Sequence, residues 1–165
     1  MDTLVEEAAK KAAVAWIAVD GRRSTLAWCA WLGGALLVVT GEGEQAVPGL
    51  AEAATAEVSL RGDHGGRIVT FPAEVTRIAP ADEAWAELVP QLAGKRLNGA
   101  GGAEELARAW SERCVVSRLT PAGPSAELPA DSQAAPPRPT SATRIPRRPF
   151  RLHKVRGATR HDERR

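Results

Sequence analysis

With 165 residues, 44% of them apolar, the chain can build one domain with its own core. Its formal +2 conceals two unlike parts: residues 1–137 carry 12 lysines and arginines against 18 acids, and residues 138–165 carry 10 against 2. That split excludes a uniformly basic nucleic-acid-binding domain, and the lack of any run near 18 consecutive apolar residues argues against a membrane-spanning helix.

The first residues, MDTLVEEAAKK, place acids where a secretory signal carries positive charge, so a cytoplasmic protein is expected. Residues 3–13 read as a short helix built on Glu6, Glu7, Ala8, Ala9 and Lys10. Residues 14–19 form a strand that ends at a turn of Asp20, Gly21, Arg22 and Arg23. A second strand over residues 25–32 puts Leu26, Trp28, Ala30 and Leu32 on one face and Ala27, Cys29 and Trp31 on the other. Both faces are apolar, which predicts cover on both sides. Gly33-Gly34 permits a tight hairpin into a third strand, residues 35–40.

A glycine- and acid-rich loop, residues 41–45, precedes a predicted short helix over residues 47–54, with Pro48 in its first turn. Strands follow at 55–61 and 67–78, joined by a polar hairpin at 62–66. Pro72 cannot donate to a ladder, so the longer strand should bend or lie at an edge there. Asp82 opens a helix with Trp85, Leu88, Val89 and Leu92 on one stripe, and Gly94 ends it. A further helix spans residues 102–112, and the last strand spans 114–119. Six strands in mostly hairpin order, with short helices between, predict a mainly-β, six-stranded antiparallel barrel over residues 1–120. Residues 121–165 are Pro/Ala-rich and then basic, without apolar period, and are expected to be a disordered tail.

No motif names a reaction: there is no GxGxxG, P-loop, CxxC, GxSxG or HExxH, so no catalytic residue is assigned. Cys29 and Cys114 lie in apolar strand runs and read as free thiols. His64, His153 and His161 lack metal-ligand spacing, so no metal site is expected. Glu42 with Glu44, and Glu104 with Glu105, read as solvated loop and helix faces. Three features stand out. Trp28 and Trp31 point to opposite faces of one strand, serving the core or a subunit seam, or offering a stacking surface for a planar ligand. Lys95-Arg96 follows a helix end, as an anion-holding pair or as a charge cluster favoured by the helix dipole. Thr40 runs into Gly41 and Gly43, whose amides either face a phosphate or simply turn the chain.

The series TLAWCAWLGGALLVVTGEGEQ, TAEVSLRGDHGGRIVTFPAEVTRIAP, AWAEL, KRLN and RAWSERCVVSRLTP resembles the pyridoxamine 5′-phosphate oxidase-like split barrels, across residues 14–121. The resemblance implies a homodimer of six-stranded split barrels with FMN or a deazaflavin in the cleft between subunits. It implies cofactor contacts along residues 25–28, at Thr25 and Trp28 in particular, and at Thr40 at the end of the third strand. A basic phosphate-binding position of that pattern falls near Gln45 or Pro48. Here the chain departs from the pattern: no lysine or arginine lies between Arg23 and Arg61, and Glu42 and Glu44 flank the place. Lys95, Arg96 or Arg61 would have to supply the cation.

Three functions follow from these residues. The first is a flavin- or deazaflavin-dependent oxidoreductase of a small molecule, in which the ring carries the chemistry. The second is a non-catalytic dimer that binds a ligand or protein and has lost the cofactor. The third assigns the main role to the basic tail, through nucleic acid or an anionic surface.

Overall fold

The computed structural model describes residues 2–61, 68–97, 99 and 101–126. The chain divides into two units, Met1–Leu128 and Pro129–Arg165, and the described residues all belong to the first. In chain order its elements are α1 (Thr3–Lys11), β1 (Val14–Ala18), β2 (Thr25–Trp28), β3 (Ala30–Leu32), β4 (Ala35–Gly41), β5 (Thr55–Arg61), β6 (Ile68–Ile78), α2 (Glu83–Gly94), α3 (Ala103–Arg113) and β7 (Cys114–Pro121). No helix among the described residues is long and apolar enough to cross a membrane.

All seven strands form one antiparallel sheet in the order β2-β1-β5-β6-β7-β4-β3. The two edge strands are consecutive in sequence and joined by Cys29 alone. The first half of the 25–32 segment pairs with β1 (Trp16↔Leu26), and its second half pairs with β4 (Trp31↔Leu36). One bent strand therefore closes the sheet into a barrel, which removes most of the exposed edge. The expected six strands become seven because this strand divides at Cys29, where it changes partners.

Alternation sorts the side chains into two layers. Ala27, Cys29, Leu36, Val38, Phe71, Val75 and Leu119 fill the barrel, and α1 packs against them through Val5 and Ala9. Ala30, Leu37, Val39, Ile78 and Val116 face outward, under Leu88, Val89 and Leu92 of α2 and Ala107 and Trp110 of α3. Strand β4 is thus buried on both faces, which its unbroken apolar run demands. Each leucine so covered stabilises the fold by about 1.5–3 kcal/mol. Trp31 packs against the barrel interior and Trp28 against the helical layer, on opposite faces as expected.

Local chemistry sets the connections. Gly33 and Gly34 both adopt positive φ, 55° and 76°, and make the tight β3–β4 hairpin. The predicted helix over 47–54 is absent. Gly49, with φ at 82°, diverts the chain into successive turns closed by Leu50 N–H to Val47 O and Ala53 N–H to Gly49 O. Arg77 donates to the carbonyls of Leu50 and Ala51 and fixes those turns against β6. The expected 62–66 hairpin lies outside the described residues.

Past Pro121 the described chain continues beside β6. Ala122 N–H donates to the Pro72 carbonyl at 2.9 Å and Ala126 N–H to the Thr70 carbonyl at 2.6 Å, so a strap runs along β6 beyond the end of β7. The missing N–H of Pro72 faces this strap rather than β5, so the proline costs no bond between β5 and β6. Asp2 clasps the strap. One carboxylate oxygen caps α1 by accepting from Leu4 N–H, and the other accepts from the Ser125 hydroxyl at 2.7 Å and its N–H at 3.2 Å.

The Ser125 hydroxyl, followed by the Leu4 amide, holds the Asp2 carboxyl below its ordinary 3.8. Its stabilising contribution is present above 3.8 and is lost as pH falls through the lowered folded-state value. Ser125→Ala is therefore expected to weaken the fold at neutral pH, with the difference from the parent protein shrinking well below pH 3.8. Urea unfolding at the two extremes checks this, and a deficit that is constant with pH contradicts it.

Candidate functional site

Closing a sheet with one shared strand leaves a gap where β2 has left β4. Successive residues of a strand send their backbone groups to opposite sides. Cys29 N–H bonds the Ala13 carbonyl beside β1, so the N–H and C=O of Trp28 point the other way, into the gap. Gln45 meets both. Its Oε1 accepts from Trp28 N–H at 2.6 Å, and its Nε2 donates to the Trp28 carbonyl at 2.7 Å. A side-chain amide thus stands in for the missing neighbouring strand.

Gln45 is placed by a tightly held turn. A Cβ at Gly41 would lie 2.6 Å from the Arg113 carbonyl oxygen, so only glycine lets β4 and the start of β7 approach this closely. Glu42 N–H bonds that carbonyl, Glu44 N–H bonds the Gly41 carbonyl, and the Cys114 thiol donates to the Glu42 carbonyl.

Glu44 is turned inward from this loop, with its side chain only 7% exposed. Its Oε1 accepts from the Trp110 indole N–H at 3.0 Å, and its Oε2 accepts from Arg96 Nε and lies 3.2 Å from Arg96 Nη2. Arg96 also donates to the Leu97 carbonyl, and its guanidinium carbon sits 5.4 Å from the centre of the Trp28 ring. Withdrawing Arg96 would leave a largely shielded carboxylate without its cation, at a cost of about 1–3 kcal/mol. The arginine is therefore committed to Glu44. The solvated reading of Glu44 is corrected: a loop acid became a buried anchor because an arginine and an indole converge on it.

A cleft of about 350 Å³ opens beside this cluster, lined by Glu42, Gly43, Glu44, Arg96 and Gly99 on one side and by Glu105, Leu106, Ala109, Trp110, Arg113 and Cys114 on the other. Three carboxylates face two guanidiniums, one of which is taken by Glu44. Leu106 and Ala109 supply the accessible apolar surface of the cleft, Trp110 being only 2% exposed, while the charged rim favours a neutral or weakly charged ligand over a dianion. Burial, then the charge of Glu44, pushes the Cys114 thiol up, with Arg113 opposing, so this sulfur is a poor nucleophile at neutral pH. Burial pushes Cys29 up to about 12, and both cysteines are free. Among the described residues no group of His, Cys, Asp and Glu is assembled to hold a metal.

The expected site residues fall into two sets. Trp28, Gln45 and Arg96 come together around Glu44. Thr25 and Thr40 pair with Ile17 and Val115, on the strand faces that carry Ala27 and Val38 into the barrel, away from the cleft. Lys95 is the exposed C-cap of α2 and does not line the cleft. The Arg61 side chain lies outside the described residues. Trp110 and Arg113 were not given a site role in the sequence, and Glu105 was read as part of a solvated helix face, because α3 reads there as an ordinary amphipathic helix.

Among solved structures, HutZ, the heme storage protein from Vibrio cholerae, superposes with a TM-score of 0.52 at 14% identity, over 72% of this chain and 88% of that one. The fold is the one seen in HutZ, a split antiparallel barrel, as the sequence resemblance implied. An F420 reductase gives a TM-score of 0.47 at 12% identity, over 72% of this chain and 93% of its own. The flavocytochrome Anf3 from Azotobacter vinelandii gives 0.43 at 16% identity, over 90% and 86%. No family model matches the chain, and neither does any curated protein. In this split barrel the gap in the sheet lies at Trp28, and the residue that fills it is Gln45.

Gln45→Ala strands two partly buried backbone groups of Trp28 and is expected to destabilise the protein by about 2 kcal/mol. Gln45→Glu should also destabilise it, because a carboxylate cannot donate to the Trp28 carbonyl. Urea unfolding of both variants checks this. Gln45→Ala within about 0.5 kcal/mol of the parent protein contradicts the bridging role.

Proposed function

We propose that this chain is a dimeric split-barrel protein that binds the ring of a flavin or deazaflavin in the cleft beside Glu44 and Arg96 and serves as an oxidoreductase for a small molecule. The observation that carries this reading is a cleft walled by the half-buried Leu106 and Ala109 next to a guanidinium stacked on Trp28. When bound, the ring supplies the electron or hydride transfer. Leu106 and Ala109 would pack against its face, and Glu44, itself held by the buried Trp110 indole, would fix the position of Arg96 at its edge. The ring end fits these residues. The phosphate end of FMN does not, since three carboxylates line the cleft and Arg96 is already paired.

The second subunit has a place to dock. Val14, Trp16 and Leu26 are 42%, 36% and 53% exposed. The pairs Val14↔Trp28 and Trp16↔Leu26 put all four apolar side chains on the outer face of β1 and β2. A copy of the chain covering that patch would border the Trp28–Arg96 corner.

A specific observation favours a second reading, a ligand-binding dimer without turnover: the residues that should grip an anionic cofactor are satisfied by one another. Heme storage, the role named for HutZ, is less well supported. Among the described residues the cleft offers no imidazole, and its thiol is pushed up.

Riboflavin, FMN and a deazaflavin titrated into the full-length protein should produce saturable quenching of tryptophan fluorescence, with at least one Kd below about 100 µM. Reduction of the bound ring by reduced nicotinamide then separates the oxidoreductase from the silent binder. Absence of quenching by all three overturns the ring-binding proposal.

A further inference from the structure

The Glu44–Arg96 pair has a consequence for ligand choice. Arg96 turns its Nε and Nη2 edge toward a single carboxylate oxygen of Glu44, at 3.2 Å from each nitrogen. That edge is the one a guanidinium offers to a phosphate oxygen. The second oxygen of Glu44 is held by Trp110, so the carboxylate is fixed at both ends. An anion supplied by the chain itself therefore takes the edge that Arg96 would otherwise offer to a ligand's phosphate. Around it, Glu42 and Glu105 line the same cleft, and Arg113 is the remaining cation there among the described residues. A phosphate dianion entering the cleft meets two carboxylates and one guanidinium, with the other guanidinium neutralised.

We infer that Glu44 is a specificity-determining residue that makes this cleft select unphosphorylated isoalloxazines, of the riboflavin class, and reject FMN. The inference rests on the ring-binding reading above and deepens it. The ring keeps its packing on Leu106 and Ala109 whether or not its side chain is phosphorylated, so the difference in affinity comes from charge alone. Glu44→Gln keeps one acceptor oxygen, enough for the Trp110 indole, turns an amide NH2 toward Arg96 in place of the second oxygen and removes the charge, so Arg96 is released to a ligand anion. Glu42 and Glu105 are exposed, so Glu42→Gln with Glu105→Gln lowers the rim charge without touching the buried pair.

The test is a titration of riboflavin and of FMN into the full-length protein, Glu44→Gln and the Glu42→Gln/Glu105→Gln double variant, read by tryptophan quenching and by the shift in melting temperature. The parent protein should bind riboflavin about tenfold more tightly than FMN or better, with the gap narrowing at high salt. Glu44→Gln should raise FMN affinity about tenfold and leave riboflavin within about twofold. If Glu44→Gln fails to fold by circular dichroism, the rim double variant decides: a gain of about threefold or more for FMN alone supports the inference, and no gain overturns it. Equal affinities for the two flavins in the parent protein, or a preference for FMN, overturn the role of Glu44 and leave ring binding standing. No binding of either flavin overturns both.

Discussion

The structure depends on one strand serving two edges of the same sheet. Residues 25–32 pair first with β1 and then with β4, and the change of partner at Cys29 both closes the barrel and opens a gap beside Trp28. A backbone N–H and C=O facing that gap must be satisfied. Gln45 satisfies them, which fixes the turn after β4, and that turn in turn carries Glu44 into the space between Arg96 and Trp110. The site is thus a by-product of barrel closure: the residues that repair the gap also shape the cleft.

Electrostatics then decide what the cleft accepts. The chain places a cation at the expected corner, but it places a carboxylate there too, and the two are held together away from solvent: Glu44 is 7% exposed and the Arg96 side chain 28%. A pair of this kind contributes little to recruiting an external anion, because its charges already cancel and neither member can leave cheaply. What remains open in the cleft is the aliphatic surface of Leu106 and Ala109, bounded by Glu42, Glu105 and Arg113 at the rim.

Much of the barrel was legible in the sequence. Strict alternation in residues 25–32 gave the opposite faces of Trp28 and Trp31, and Gly33-Gly34 gave the hairpin. The break at Cys29 was not, because the same alternation runs through it unaltered and only the identity of the partner strand changes. The helix expected over 47–54 failed at Gly49, where a positive φ outweighs the helical propensity of the alanines around it. Glu44 was the most opaque residue. A carboxylate among glycines looks solvated, and its partners lie 52 and 66 residues away. Arg96 was legible as a cation near the site, although not the carboxylate that occupies it.

The central claim is that Glu44 and Arg96 act as one buried unit. A double-mutant cycle on Glu44→Gln and Arg96→Gln, followed by urea unfolding, measures this directly. The two residues should couple by about 1–3 kcal/mol, the double variant being more stable than the sum of the single losses predicts. Single effects that add to within about 0.5 kcal/mol would show two independent surface charges and contradict the account of the site.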